Sequence, residues 1–138
     1  MNNVQILFGA AGIKAIYGES LENEALDIIC LSEKYPDVIG DFFDKSYAPK
    51  LNSLPIKTRE ILPDKVENRS YASTKDQSKN QVRFIKNKYA SESDLLVSQS
   101  KVVLISYDKT NPLAIVITDQ ELVNSFRAQF SALWEKLA

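Results

Sequence analysis

Residues 90–107 read A-S-E-S-D-L-L-V-S-Q-S-K-V-V-L-I-S-Y, with Ser91, Ser93, Ser98, Ser100 and Ser106 threaded through two apolar runs. Hydroxyls in this number suit polyol recognition, because each can both donate and accept a hydrogen bond. They do not suit nucleophilic catalysis, because serine needs an adjacent base and the chain contains no histidine. That absence excludes Ser-His-Asp and Cys-His pairs and the common histidine-ligated zinc sites. A general base would have to be Asp, Glu, Lys or Tyr. Cys30 sits in the apolar run A-L-D-I-I-C-L without a cation beside it, and reads as a buried structural thiol.

Three other groupings invite a chemical reading. The turn F-G-A-A-G-I-K joins a strand to a helix, a place where free N–H groups can hold an anion. Gly9 and Gly12 match neither phosphate-binding glycine pattern, so a tight turn and close packing explain them better. Lys75, Lys79, Arg83, Lys86 and Lys88 form a basic stretch interleaved with Phe84 and Tyr89. Such a stretch over 75–89 could serve a nucleic-acid-associated module, though a solvated edge is the simpler reading. Glu92, Asp94, Asp108 and Asp119 have no calcium or magnesium spacing; Asp119 reads as a helix cap and Asp108 as a turn residue. No metal or cofactor is expected.

The elements that would position these groups follow from periodicity. The chain is 138 residues long with 44% hydrophobic and 25% charged residues, enough for one domain over 1–138 with its own core. A net charge of −1 gives no whole-domain bias toward nucleic acid. There is no signal-peptide pattern and no apolar run near the ~20 residues of a membrane span, so a cytoplasmic location without membrane attachment is expected. Strands are predicted at 4–8, 25–31, 55–62 and 81–85, a hairpin at 94–98 and 101–107, and a last strand at 113–118. Helices are predicted at 10–23, from Val38 to Leu51 with Pro49 as a breaker, and after Asp119. The polar stretch 64–80 reads as a short helix or a loop. The order predicts an α/β domain with a mixed sheet flanked by helices, parallel in the first half with an antiparallel hairpin in the second.

The final stretch, K-V-V-L-I-S-Y then L-A-I-V-I-T-D-Q-E-L-V-N-S-F-R-A-Q-F-S-A-L-W, resembles the end of the TrmB-type transcriptional regulators. Phe126, Phe130, Leu133 and Trp134 match that family's closing helix, and G-A-A-G-I-K resembles its entry into the first effector-domain helix. The resemblance spans nearly the whole chain and implies a phospholipase D-like C-terminal effector domain. It implies sensing of a small, sugar-like molecule and a homodimer, with Phe126, Phe130 and Trp134 as candidate interface residues. The chain carries no winged helix, so DNA would be contacted only through a separate domain. Phospholipase D-like enzymes carry His-x-Lys-x4-Asp-x6-Gly-Ser. Placing Ser106 on its last residue puts Ser91, Ser93 and Ser98 at the His, Lys and Asp positions. The resemblance therefore implies a catalytically inactive effector domain whose ligand contacts would be Ser91, Ser93, Ser98 and Ser106. A pure dimerisation domain without ligand is the alternative.

Overall fold

The computed structural model describes residues 3–137. The strands are β1 Val4–Phe8, β2 Ala25–Cys30, β3 Lys57–Pro63, β4 Asn80–Ile85, β5 Ser93–Val97, β6 Val102–Ser106 and β7 Leu113–Ile117. The helices are α1 Gly9–Ser20, α2 Pro36–Ile39, α3 Ala48–Ser53, α4 Val66–Ser73 and α5 Gln120–Lys136. Among the described residues the strands make one sheet in the order β1-β7-β6-β5-β2-β3-β4.

The parallel half expected from the β-α-β-α-β order is real for β2, β3 and β4 but does not include β1. The β5-β6-β7 meander inserts between β1 and β2, so β1 pairs antiparallel with β7, Val4 opposite Ile117. Short connections favour antiparallel neighbours, and these three strands are joined by short turns. The result is the mixed α/β sheet anticipated, with its parallel block at one side.

Two layers cover the sheet. On one face α1 and the segment 36–53 bury Ile13, Ile16, Tyr17, Ile39, Tyr47 and Leu51 against Leu26, Ile28, Leu96 and Ile105. The single helix predicted over 38–51 is broken up. Gly40 has φ +60°, a conformation that only glycine adopts freely, and it ends α2. A π-helical turn at Phe43–Tyr47 then leads into α3, with Pro49 in its first turn. The turn at Gly9 makes no anion site: its N–H donates to the Pro112 carbonyl at 2.8 Å. Gly12 is packing, since a Cβ there would lie 3.0 Å from Leu7 Cβ.

On the other face lies α5. Asp119 caps it, accepting from the Leu122 N–H at 3.1 Å, and Glu121 in the first turn complements the helix dipole. Its stripe buries Val123, Phe130 and Trp134. Phe130 and Trp134 are 2% and 6% exposed, packed with Ile61. Their area is spent inside the fold, so these two do not present a dimer surface; Phe126 is half-buried beside Val97 and Val102. Helix α5 leaves part of this face uncovered. Val4, Ile6 and Phe8 are 51%, 48% and 65% exposed, and they lie alongside Leu113 and Ile115 of β7.

Candidate ligand site

Strand alternation sorts the chemistry onto two faces. On β5, Ser93, Leu95 and Val97 point one way and Asp94 and Leu96 the other. Asp94 stands opposite Cys30 of β2, and Glu60 of β3 stands opposite Ile28. Asp94, Cys30 and Glu60 therefore share the face covered by α1 and the segment 36–53.

They line a cleft of about 240 Å³. The Tyr17 hydroxyl donates to Asp94 Oδ2 at 2.5 Å, and the Ser32 hydroxyl donates to Oδ1 at 2.8 Å. Tyr107 in turn donates to the Tyr17 oxygen at 3.5 Å. Burial raises the Asp94 carboxyl above its ordinary value, although these hydroxyls pull in the opposite direction. Burial likewise pushes the Cys30 thiol well up, helped by the neighbouring charge of Asp94. A thiol held protonated is a poor nucleophile.

Glu60 and Lys75 are a buried pair, their side chains 2% and 0% exposed and their charged atoms 3.7 Å apart. The Tyr71 hydroxyl donates to Glu60 Oε1 at 3.1 Å, and Lys75 Nζ donates to Asn52 Oδ1 at 2.9 Å. Lys75 also lies 4.5 Å above the Tyr71 ring. Burial raises Glu60 and lowers Lys75, each effect opposed by the partner's charge. Over these groups stand Tyr35, Phe43, Tyr71 and Tyr107, linked ring to ring at 5.6, 6.3 and 6.3 Å. Burial pushes the Tyr35 phenol up to about 12. The arrangement can bind and orient a molecule.

The serines lie elsewhere. Ser91 and Ser93 hydroxyls are 2.7 Å apart, and Ser93 stands opposite Ser106, whose oxygen accepts from the Asp108 N–H at 3.3 Å. Ser98 is not with them. It lies five residues beyond Ser93, roughly 17 Å at about 3.3 Å per residue, and on the other face. There it closes the hairpin, its N–H and hydroxyl both donating to the Lys101 carbonyl. Three of the four expected contacts thus gather: Ser93 and Ser106 lie on an open apolar surface shared with Leu31, Leu95, Leu104 and Leu113, and Ser91 joins them through Ser93. Asp108 is a turn residue, accepting from the Asn111 N–H.

The basic stretch is largely committed inside the fold. Lys75 is buried, Lys79 donates to the Asn52 and Leu54 carbonyls at 2.7 Å, and Arg83 donates to the Trp134 carbonyl. Lys86 and Lys88 are exposed. Asp94 and Glu60 of the cleft, and Lys75 behind Glu60, share no spacing that marks them as a group in the sequence. Their trace in the sequence is Asp94 ahead of the apolar run Leu95–Val97, Glu60 ahead of Ile61 and Leu62, and one lysine in a polar segment.

No protein-family model matches the chain, and no curated protein matches it in sequence. Solved structures do. TrmBL2, described as an archaeal chromatin protein with a novel mode of DNA binding, superposes with a TM-score of 0.64 at 18% identity, covering all of this chain and 54% of that one. NucT from Helicobacter pylori matches with a TM-score of 0.69 at 10% identity, over 96% of this chain and 95% of its own. Nuc from Salmonella typhimurium, a phospholipase D family member, matches at 0.65 and 12% identity, over 96% and 93%. The chain spans about half the length of TrmBL2.

Proposed function

From the phospholipase D-like fold that the chain adopts, we propose a non-catalytic effector domain that senses a small molecule and dimerises, as in a TrmB-like regulator. The observation that carries this reading is a formed cleft of about 240 Å³ whose reactive groups are buried and hydrogen-bonded, in a chain without histidine. A lined cavity without histidine suits a binding role and cannot serve a phosphodiesterase that uses a histidine nucleophile.

Two measurements test it. The protein should release no nitrophenol from bis(p-nitrophenyl) phosphate at neutral pH, and turnover by the purified chain would sink the non-catalytic half. Calorimetry against sugars, nucleotides and small amines should find a binder. Silence across that panel would leave dimerisation alone.

A second copy of the chain is the proposed occupant of the uncovered apolar face. Val4, Ile6 and Phe8 continue the strip of Leu113, Ile115 and Leu104 across three adjacent strands. A contiguous apolar strip on a sheet face marks an association surface. Phe8→Glu places a charge at its most exposed point without touching the core. Light scattering coupled to gel filtration should read a dimer for the wild type and a monomer for Phe8→Glu. A monomeric wild type would defeat the assignment.

A further inference from the structure

The cleft's chemistry is one-sided. Asp44, Glu60, Glu67 and Asp94 border it, and neither Lys nor Arg does. Glu60 has Lys75 as a counter-charge behind it. Asp94, only 5% exposed, has none: among the described residues no basic group forms an ion pair with it, and its oxygens accept from the Tyr17 and Ser32 hydroxyls. A carboxylate buried against a cavity without a counter-charge is costly unless it takes up a proton or a cation arrives.

The walls narrow the choice further. A sugar needs free donors as well as acceptors, but most donors here are engaged, the Tyr35 hydroxyl being an exception. Tyr17 and Ser32 serve Asp94, Tyr71 serves Glu60, and the Asn68 amide donates to the Pro63 carbonyl at 2.8 Å. An anion would meet four carboxylates. Aromatic faces beside acidic groups suit an ammonium instead, because ring quadrupoles attract cations.

We propose that this cleft binds a small organic cation, an alkylammonium seated on the Asp94 carboxylate and flanked by the Tyr35, Phe43 and Tyr71 rings. Exposed Asp44 and Glu67 at the mouth draw the cation in. The inference rests on the ligand-sensing reading above, and replaces its sugar-like effector with an amine and its serine contacts with Asp94 and the rings.

Calorimetry on the intact chain tests it with 1,4-diaminobutane, its neutral isostere 1,4-butanediol, and glucose. The diamine should bind and the diol should not. Asp94→Asn should weaken the diamine at least ~10-fold and Tyr35→Leu by roughly 5-fold, while the remote Glu121→Gln leaves it unchanged. A diamine bound no better than the diol overturns the proposal, as does undiminished affinity in Asp94→Asn. If Asp94→Asn does not fold, undiminished affinity in Tyr35→Leu overturns it equally. Binding of glucose without the diamine removes the cation and leaves ligand sensing standing. Diamine binding that fails to move the monomer–dimer equilibrium keeps the site and removes the sensing role.

Discussion

Trp134→Ala is expected to destabilise the protein by about 3–5 kcal/mol, the cost of emptying a buried Trp site. Trp134 stacks on Phe130, ring centroids 6.0 Å apart at 17°. The Arg83 guanidinium lies 4.5 Å from its centroid and that of Arg59 lies 5.7 Å away. Arg59 is held there by two bonds to Asp27, both 2.8 Å. Alanine therefore empties a core site and strips the apolar cover from two guanidiniums at once. Since whole domains are stable by only about 5–15 kcal/mol, the variant should sit near its folding threshold. Trp134→Phe keeps most of the volume and should cost much less, about 1.5 kcal/mol. Urea unfolding compares the three proteins; a loss below about 1 kcal/mol for alanine would contradict this packing.

Lys75→Met should be nearly as damaging, by roughly 3–5 kcal/mol, because breaking a buried ion pair leaves a charge without its partner. Glu60 would keep only the Tyr71 hydroxyl at 3.1 Å. The double variant Lys75→Met with Glu60→Gln should recover much of the loss, since no uncompensated charge remains. The pH response identifies the cause. In the single variant burial still raises the Glu60 pKa, and the Lys75 charge no longer opposes it. A carboxyl whose folded pKa lies above its unfolded value binds protons more tightly when folded. Stability is then highest below the unfolded pKa and falls as pH rises through the folded one. The deficit of Lys75→Met against the wild type should therefore shrink on acidification, as read from urea midpoints at mildly acidic and mildly alkaline pH. An equal deficit at both would mean that lost packing, not the stranded Glu60 charge, explains it.

Much of this fold is legible in local pattern. The Asp119 cap and the stripe Val123, Phe130 and Trp134 announce α5, and the Gln99-Ser100 turn announces the β5–β6 hairpin. What local pattern misses is non-local. Nothing within Val4–Phe8 says that its partner is β7, because strand periodicity specifies a face and not a neighbour. The stretch 38–51 has helical spacing, yet one glycine at positive φ divides it. The polar segment 64–80 contains α4 because it is anchored by few contacts of high value, above all Lys75 on Glu60. The cleft is hidden from local pattern for a related reason. Serines are visible as a cluster in sequence, but alternation sends Ser93 and Asp94 to opposite faces. The cleft is assembled from β2, β3, β5, α4 and the 35–44 segment, which only the topology brings together.

The pairing of β1 with β7 also sets the order in which the molecule can form. During synthesis Val4–Phe8 emerges before the other strands of the sheet, and Ile117, opposite Val4, emerges with the last of them. Until then an apolar strand with unsatisfied backbone groups stands open to other chains. Loop-closure entropy must be met before so distant a contact rewards it, and exposed strand edges of this kind are where aggregation starts. The block β2-β3-β4 can assemble earlier, since its strands follow one another in the chain. The last act of folding is then the closure of the earliest strand onto the latest, and any condition that delays β7 leaves β1 as the vulnerable segment.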